Sequence, residues 1–210
     1  MIGEEEQKRI LAELSEIFSE EDLNILVLGS IAVHYRLGPV GKTKDIDVRP
    51  FPIDDDSFEE YWDKLEAIKE RIDGSLNIEI GGSTATLIAS LEGKEVTIEV
   101  IDAGGEKFLT REVIDDMIDR SEEIEGVYVP SVEHIVVTKA EAHLDRTEKD
   151  PSKEKFRQDL VNIRKLLKKK ELELASEEIE RIVDLRVERK RDQLLTVVKR
   201  YLHEVMTEDG

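Results

Sequence analysis

Hydrophobic residues recur along this chain with two periods, which separate predicted helices from predicted strands. Residues 4–18 carry apolar side chains at helical spacing, which predicts a first helix. Short apolar runs bounded by turn-forming residues are typical of strands. These runs are 23–28, 45–48, 76–80, 84–91, 95–101 and 127–129. Glycines separate the third, fourth and fifth of them, which indicates antiparallel hairpins, whereas Pro50 and Pro52 are expected to close the second.

Helical spacing returns between the strands and dominates the second half of the chain. The predicted helices are 31–37, 57–73, a stretch from Thr110, 131–146, 153–169 and 176–206. A fully charged segment, Glu188 to Asp192, is expected to interrupt the last helix. The pattern predicts an α+β fold, with a core in residues 1–130 and a helical C-terminal region, residues 131–210, that packs on the core.

The last predicted helix carries an apolar stripe along one side. Its members are Leu194, Val198, Tyr201, Leu202 and Val205. A stripe of this kind is stable when it is buried against another surface. We expect it to pack on the domain or on a second copy of the chain in a homodimer, and a partner-binding helix is the alternative.

Composition narrows the classes of function. The 210 residues include no cysteine, which excludes disulfides, thiol chemistry and zinc held by cysteine. A net charge of -19 is unlike that of a general nucleic-acid binder, although it is compatible with a local basic cleft. No apolar run is long enough to cross a bilayer, and the acidic, amphipathic N-terminus is unlike a signal peptide. A soluble cytoplasmic protein with no membrane partner is therefore expected.

Two aspartates flank Ile46 in the second predicted strand. Because side chains alternate across a strand, Asp45 and Asp47 share a face while Ile46 points to the core. Paired carboxylates can hold a hard cation such as Mg²⁺ together with substrate phosphates. In a chain with 50 acidic residues, two solvent-facing acids are the simpler interpretation of this pair taken alone.

The first predicted strand ends at Gly29 and Ser30, just before a predicted helix. A strand, a glycine turn and a helix start together present backbone N–H groups that favour an anion. Gly29 would let phosphate oxygens approach the backbone, and Ser30 could donate its hydroxyl to the same phosphate or simply cap the helix.

These elements in their order, LVLGS followed by KDIDV, resemble the signature of the DNA polymerase β-like nucleotidyltransferase superfamily. The resemblance implies a nucleotidyltransferase-like mixed sheet flanked by helices. It also implies that Asp45 and Asp47 hold divalent ions, Mg²⁺ or Mn²⁺, that carry a nucleoside triphosphate (NTP). In the loop before them, Lys44 with Lys42 could neutralise triphosphate charge, although solvated lysines are an equal alternative.

In that superfamily a third acid on a neighbouring strand completes the site. Glu99 lies between Ile98 and Val100 in the run from 95 to 101. If both neighbours are core residues, alternation turns Glu99 toward the site. A bulge would exchange the faces and favour Asp102 instead, so Glu99 is the first choice and Asp102 the reserve.

A second resemblance lies in the helical half. PSVEH, TKAEA and RQDL, which begin at Pro130, Thr138 and Arg157, are similar to segments of abortive-infection (AbiEii-like) nucleotidyltransferase toxins and related minimal nucleotidyltransferases. The resemblance implies that Lys139 approaches the triphosphate and that Asp159 orients Lys139 or lies beside the nucleotide.

Helical spacing places Lys139, His143 and Arg146 on one face, which forms a basic stripe suited to phosphate. For His143 and Arg146 a solvated face is the better expectation.

The main hypothesis is a Mg²⁺-dependent enzyme that transfers a nucleoside monophosphate from an NTP to an acceptor hydroxyl by a two-metal mechanism. The acceptor could be an RNA end, a protein side chain or a small molecule. The alternative is a non-catalytic nucleotide-binding or interaction module on the same fold, with an antitoxin as partner in a toxin-antitoxin pair. A phosphohydrolase fits less well, because the Gly-Ser element suits triphosphate binding.

Overall fold

The computed structural model contains seven helices and seven strands in the residues it describes. Those residues are 4–38, 46–52, 58–71, 75–78, 84–91, 94–101, 110–149, 164, 168, 176–186 and 191–207. In chain order the elements are α1 (Glu4–Ser19), β1 (Leu23–Val27), α2 (Gly29–Leu37), β2 (Ile46–Pro52), α3 (Phe58–Arg71), β3 (Ser75–Ile78), β4 (Thr84–Leu91), β5 (Lys94–Ile101), α4 (Arg111–Asp119), β6 (Glu122–Ile124), β7 (Val127–Val129), α5 (Val132–Lys149), α6 (Ser176–Asp184) and α7 (Arg191–Thr207).

The strands form one mixed sheet in the order β3-β4-β5-β2-β1-β7-β6. Two pairs are parallel, β2 with β5 and β1 with β7, and the remaining pairs are antiparallel. The predicted α+β fold with a mixed sheet and flanking helices is thereby confirmed, as are both predicted hairpins among β3, β4 and β5. Strand β2 lies in the middle of the sheet, between β1 and β5.

Alternation in the central strands divides the core between the two faces of the sheet. Leu23, Ile25 and Val27 of β1 join a large cluster with helices α1, α2, α3, α5, α6 and α7. Leu26 faces the other way and packs with Phe51 and with residues of α4 in a smaller cluster. In β2, Ile46 and Val48 belong to the large cluster, so Asp47 lies on the face of the smaller one.

The prediction that Pro50 and Pro52 close strand β2 is wrong, because the strand continues through Pro52. The carbonyl of Asp47 accepts a hydrogen bond from Leu28 N–H at 2.9 Å, so odd-numbered residues of β2 bond toward β1. Pro50 and Pro52 therefore direct their missing N–H groups toward the side of β5, whose described pairing with β2 runs from Ile46 to Val48. The N–H groups that bond to β1 belong to the other residues of β2, so the pairing of β2 with β1 continues to Pro52.

Strand β6 was not predicted from the sequence. Its residues, Glu-Glu-Ile, show no alternation and are largely exposed. The hairpin to β7 is made by Glu125 and Gly126, which both have positive φ, 54° and 82°. This conformation is typical of a two-residue hairpin turn, so the turn rather than a hydrophobic pattern produces the strand.

The last predicted helix is interrupted, but the break begins at Leu185, just after α6, and α7 begins within the charged segment at Arg191. Residues 188–190 of that segment lie outside the described residues. Leu194 and Val198 of α7 are buried in the large cluster, so this part of the stripe packs on the domain. The predicted helix 153–169 falls outside the described residues except for Arg164 and Lys168, which are helical. The division into two regions at residue 130 stays a prediction. Among the described residues, no helix combines the length and the apolar character needed to span a membrane.

Candidate active site

Gly29 lies directly against the carboxylate of Asp47. The backbone of Gly29 has φ +59°, a left-handed conformation that side chains disfavour. A Cβ added at this position would lie 2.8 Å from the carboxyl carbon of Asp47 and 3.2 Å from its Cβ. Glycine is therefore required here for two independent reasons, its backbone conformation and the space that the aspartate occupies.

Helix α2 begins at this turn, and its N-terminus carries no acidic residue in the first turn. Leu28 is the N-cap and has no side-chain cap hydrogen bond. The capping role considered for Ser30 is therefore wrong, because Ser30 is already helical and is half-buried. The first-turn N–H groups and the helix dipole favour an anion at this position, next to the half-buried Asp47.

Strands β2 and β5 align Asp47 with Glu99. The parallel register pairs Ile46 with Ile98, Asp47 with Glu99, and Val48 with Val100. Residues paired in this way belong to the same face of a sheet. Strand β5 also pairs without interruption with β4 from Lys94 to Ile101, so no bulge exchanges its faces within that range.

Several predicted site residues lie outside the described part of the chain. They are Lys42, Lys44, Asp45, Asp102 and Asp159. For Glu99 the described residues give the backbone and its register only. The roles assigned to these residues and to Gly29, Ser30 and Asp47 stay predictions.

Lys139 lies on a buried face of α5. It is only 7% exposed, and His143 on the same face is 8% exposed. The solvated face expected for His143 is therefore wrong, whereas the side chain of Arg146 is outside the described residues. The physical reason is the position of α5, which packs against α2, α6 and α7 and is surrounded by protein.

A buried ion pair lies on another side of α5. Arg186, which follows α6, donates from Nη1 to Glu141 Oε2 at 3.0 Å and from Nη2 to Thr138 Oγ1 at 3.0 Å. The side chains of Arg186 and Glu141 are 1% and 5% exposed. Burial lowers the pKa of Arg186, and the opposite charge of Glu141 raises it. Sequence reasoning missed this pair, because its members are 45 residues apart.

A second network joins three helices at Asp116 of α4. Asp116 accepts hydrogen bonds from Arg181 of α6 at 2.7 and 2.8 Å, and its Oδ2 lies 2.8 Å from Nε2 of the fully buried His134 of α5. Nδ1 of His134 lies 3.0 Å from the hydroxyl of Ser131. Of the contacts in this network, the one between Ser131 and His134 joins residues only three apart in the sequence, whereas the contacts of Asp116 join distant segments.

Burial and charge act in opposite directions on the two titratable groups of this network. Burial lowers the pKa of His134, although the carboxylate of Asp116 opposes the shift. Burial alone would raise the pKa of Asp116, but hydrogen bonds and charge from Arg181 and His134 lower it. Near neutral pH, these shifts favour a neutral His134 imidazole beside an ionised Asp116 carboxylate.

The outer side of α4 borders an open cavity of about 490 Å³. Four acids and one leucine line it: Glu112, Asp115, Asp116, Asp119 and Leu185. Among the described residues, none that line the cavity belongs to β1, α2 or β2. Its acidic lining repels phosphate groups, which makes the turn the better candidate for a nucleotide.

Comparison with known families gives one match that spans most of the chain. A family model described as nucleotidyl transferase of unknown function (DUF2204) matches residues 7–200. A search of the curated proteins finds no significant match.

Two solved structures share the fold over nearly the whole chain. One is an antigenic nucleotidyltransferase-like protein from Paracoccidioides brasiliensis, 17% identical, with a TM-score of 0.55 and 94% of both chains covered. The other is the antibiotic-resistance factor ANT(2'')-Ia, 19% identical, with a TM-score of 0.54 and coverage of 94% of this chain and 97% of that one. At these identities the likeness establishes the fold.

Proposed function

The chain belongs to the family of nucleotidyl transferases of unknown function, and from this premise we propose that it transfers a nucleoside monophosphate from an NTP to an acceptor hydroxyl. The close approach of Gly29 to the Asp47 carboxylate carries the proposal. At this point in the middle of the sheet, the start of α2, which favours an anion, lies beside the carboxylate of Asp47, a type of side chain that binds metal ions.

Mg²⁺, or Mn²⁺ in its place, is proposed as the cofactor, held by Asp45 and Asp47. The ligand chemistry fits, because carboxylate oxygens are the donors that these hard cations prefer. Asp47 is half-buried and adjoins backbone with no room for a Cβ, which suits a site shared with phosphate oxygens. When bound, the ions would supply charge stabilisation for the phosphorus oxygens and the leaving pyrophosphate.

The residues of the chain have separate roles in the proposed reaction. The Gly29 backbone, Ser30 and the start of α2 bind phosphate oxygens, while Lys44 and Lys139 neutralise triphosphate charge. Asp159 orients Lys139 or lies beside the nucleotide. These assignments rest on the resemblance and on the anion-favouring geometry of α2.

Glu99 is proposed as the base, supported by its register with Asp47. The acceptor oxygen attacks the α-phosphorus and forms a new P–O bond as the bond to pyrophosphate breaks. The hydroxyl proton passes to the Glu99 carboxylate, so charge and atoms balance. A base positioned for this transfer adds to the effect of alignment.

Label transfer tests the proposal. The protein is incubated with each α-labelled NTP, with Mg²⁺ or Mn²⁺, and with total RNA, a protein extract or a small-molecule extract as acceptor. We expect transfer to one acceptor class, reduced at least about a hundredfold in Asp47→Asn because transition-state stabilisation of several kcal/mol is lost. Asp63→Asn, which alters an exposed aspartate of α3, is the matched control and should behave like the wild type.

The other outcomes separate the competing functions. Metal-dependent NTP binding without transfer to any acceptor would favour the non-catalytic module, with a partner such as an antitoxin to be sought. Release of phosphate from the NTP without transfer would indicate a phosphohydrolase. Either outcome would contradict nucleotidyl transfer.

A further inference from the structure

Arg186 binds the turn of α5 that contains Lys139. Its two hydrogen bonds, each 3.0 Å long, reach Thr138 and Glu141, which lie on either side of Lys139 in the sequence. The two bonds are made by one planar guanidinium group. A forked donor of this type fixes direction as well as distance, which a single lysine ammonium would not do.

These bonds hold the side of α5 that faces away from Lys139. Each residue advances a helix by about 100°, so Thr138 and Glu141 lie within about 60° of each other and Lys139 lies more than 90° from both. Lys139 shares its face with Ile135, Val136 and His143, all buried. A rotation of α5 that lengthened the bonds to Arg186 would therefore also move Lys139.

Helix α5 is joined to the turn at Gly29 through α2. The two helices pack against each other. Arg36 near the end of α2 also donates to the carbonyls of Val129 at 2.8 Å and Pro130 at 3.0 Å, immediately before α5. Arg36 thus ties the end of α2 to the residues just before α5, while Arg186 ties the middle of α5 to the segment that follows α6.

We infer that Arg186 is a positioning residue for nucleotide binding, which holds α5 so that Lys139 is directed at the triphosphate. The inference rests on the proposed function, in which Lys139 contacts phosphate. Arg186 itself touches no substrate in this account. Its buried charge is balanced by Glu141, so it can orient α5 without adding an unpaired cation beside Lys139.

The test combines conservative variants with a double-mutant cycle. Thr138→Val removes one hydrogen-bond acceptor and keeps the Arg186–Glu141 pair, and Arg186→Lys keeps the charge but loses the fork. The dissociation constants of the four α,β-methylene NTPs with Mg²⁺ are measured by titration calorimetry, alone and in a Lys139→Met background. Ile68→Val removes one buried methyl group from α3, whose main contacts are with α1 and β3 rather than α5, and serves as the control for loss of stability.

We expect Arg186→Lys and Thr138→Val to weaken nucleotide binding about tenfold, less than the roughly hundredfold that misplaced reacting groups can cost. In the Lys139→Met background the same changes should have almost no effect, because coupled residues are non-additive. Ile68→Val should lower the melting temperature without weakening binding.

Two failures are distinguishable. If Lys139→Met weakens binding but the Arg186 and Thr138 variants bind like the wild type, or add to Lys139→Met in full, the positioning role is overturned and the proposed function stands. If Lys139→Met binds NTP as tightly as the wild type does, the positioning role of Arg186 is overturned. If the wild type binds no NTP at all, both the role of Arg186 and the proposed function are overturned.

Discussion

At the scale of single residues, the close approach of Gly29 to Asp47 is the contact on which the proposed function depends most. The sequence identified both, because a glycine after a buried strand and an acid between Ile46 and Val48 are local patterns. It could not predict that the space for a side chain at Gly29 is taken by the Asp47 carboxylate. That contact depends on the register of β1 against β2, which local patterns do not specify.

Gly29→Ala should abolish NTP binding, because the new Cβ would collide with Asp47 and displace the carboxylate. Gly126→Ala is the matched control. Gly126 also has positive φ, but a Cβ there would meet Ser15 Oγ at an ordinary 3.4 Å. Both variants should lose about 1–2 kcal/mol of unfolding free energy from backbone strain, as measured by denaturant titration. NTP binding by Gly29→Ala as tight as that of Gly126→Ala would contradict the role of this contact.

At the scale of elements, helix α5 departs most from what its sequence suggested. Its hydrophobic positions predicted the helix itself, but not that His143 is buried along with Lys139. When the neighbours of a helix are unknown, a stripe of basic residues along it is expected to face solvent. Here α2, α6 and α7 pack against α5, and the partners of its polar residues, Asp116 for His134 and Arg186 for Thr138 and Glu141, come from distant parts of the chain.

The network at the start of α5 should make stability depend on pH. The pKa of His134 in the folded protein is below its ordinary value of 6.5, mainly because the ring is buried. As pH falls past that value, the unfolded chain takes up a proton that the folded protein does not, so stability is lost. The pKa of Asp116 is also lowered, so its contribution is lost only in more acidic solution.

Comparison of wild type with His134→Gln isolates this effect. Glutamine can still donate to Asp116 but has no titration in this range. Between about pH 7.5 and pH 5.5, the unfolding free energy of the wild type should fall more steeply, by up to about 1.4 kcal/mol per pH unit for one proton. Equal slopes in urea titrations of the two proteins would show that His134 does not couple folding to protons.

At the scale of the whole molecule, the chain brings chemistry from distant segments to the middle of one sheet. Alternation predicted strands β2 and β5 and the position of Asp47 on the face opposite to Ile46, and the resemblance implied a mixed sheet. Neither the strand order nor the pairing of Asp47 with Glu99 could be predicted from local pattern, because more than 50 residues separate the two acids in the sequence. The turn-driven strand β6 and the continuation of β2 through its prolines likewise depend on neighbouring strands rather than on local pattern.

Transfer of an α-labelled nucleotide by Glu99→Gln in a single turnover, with NTP binding measured in parallel, tests whether this chain catalyses nucleotidyl transfer with Glu99 as the base. Glu95→Gln alters an acid of the same strand that pairs with Ser90 and serves as the control, and Asp102→Asn tests the reserve candidate. We expect Glu99→Gln to bind NTP but to lose transfer, while the other two variants transfer normally. Normal transfer by Glu99→Gln, above all together with its loss in Asp102→Asn, would contradict the account.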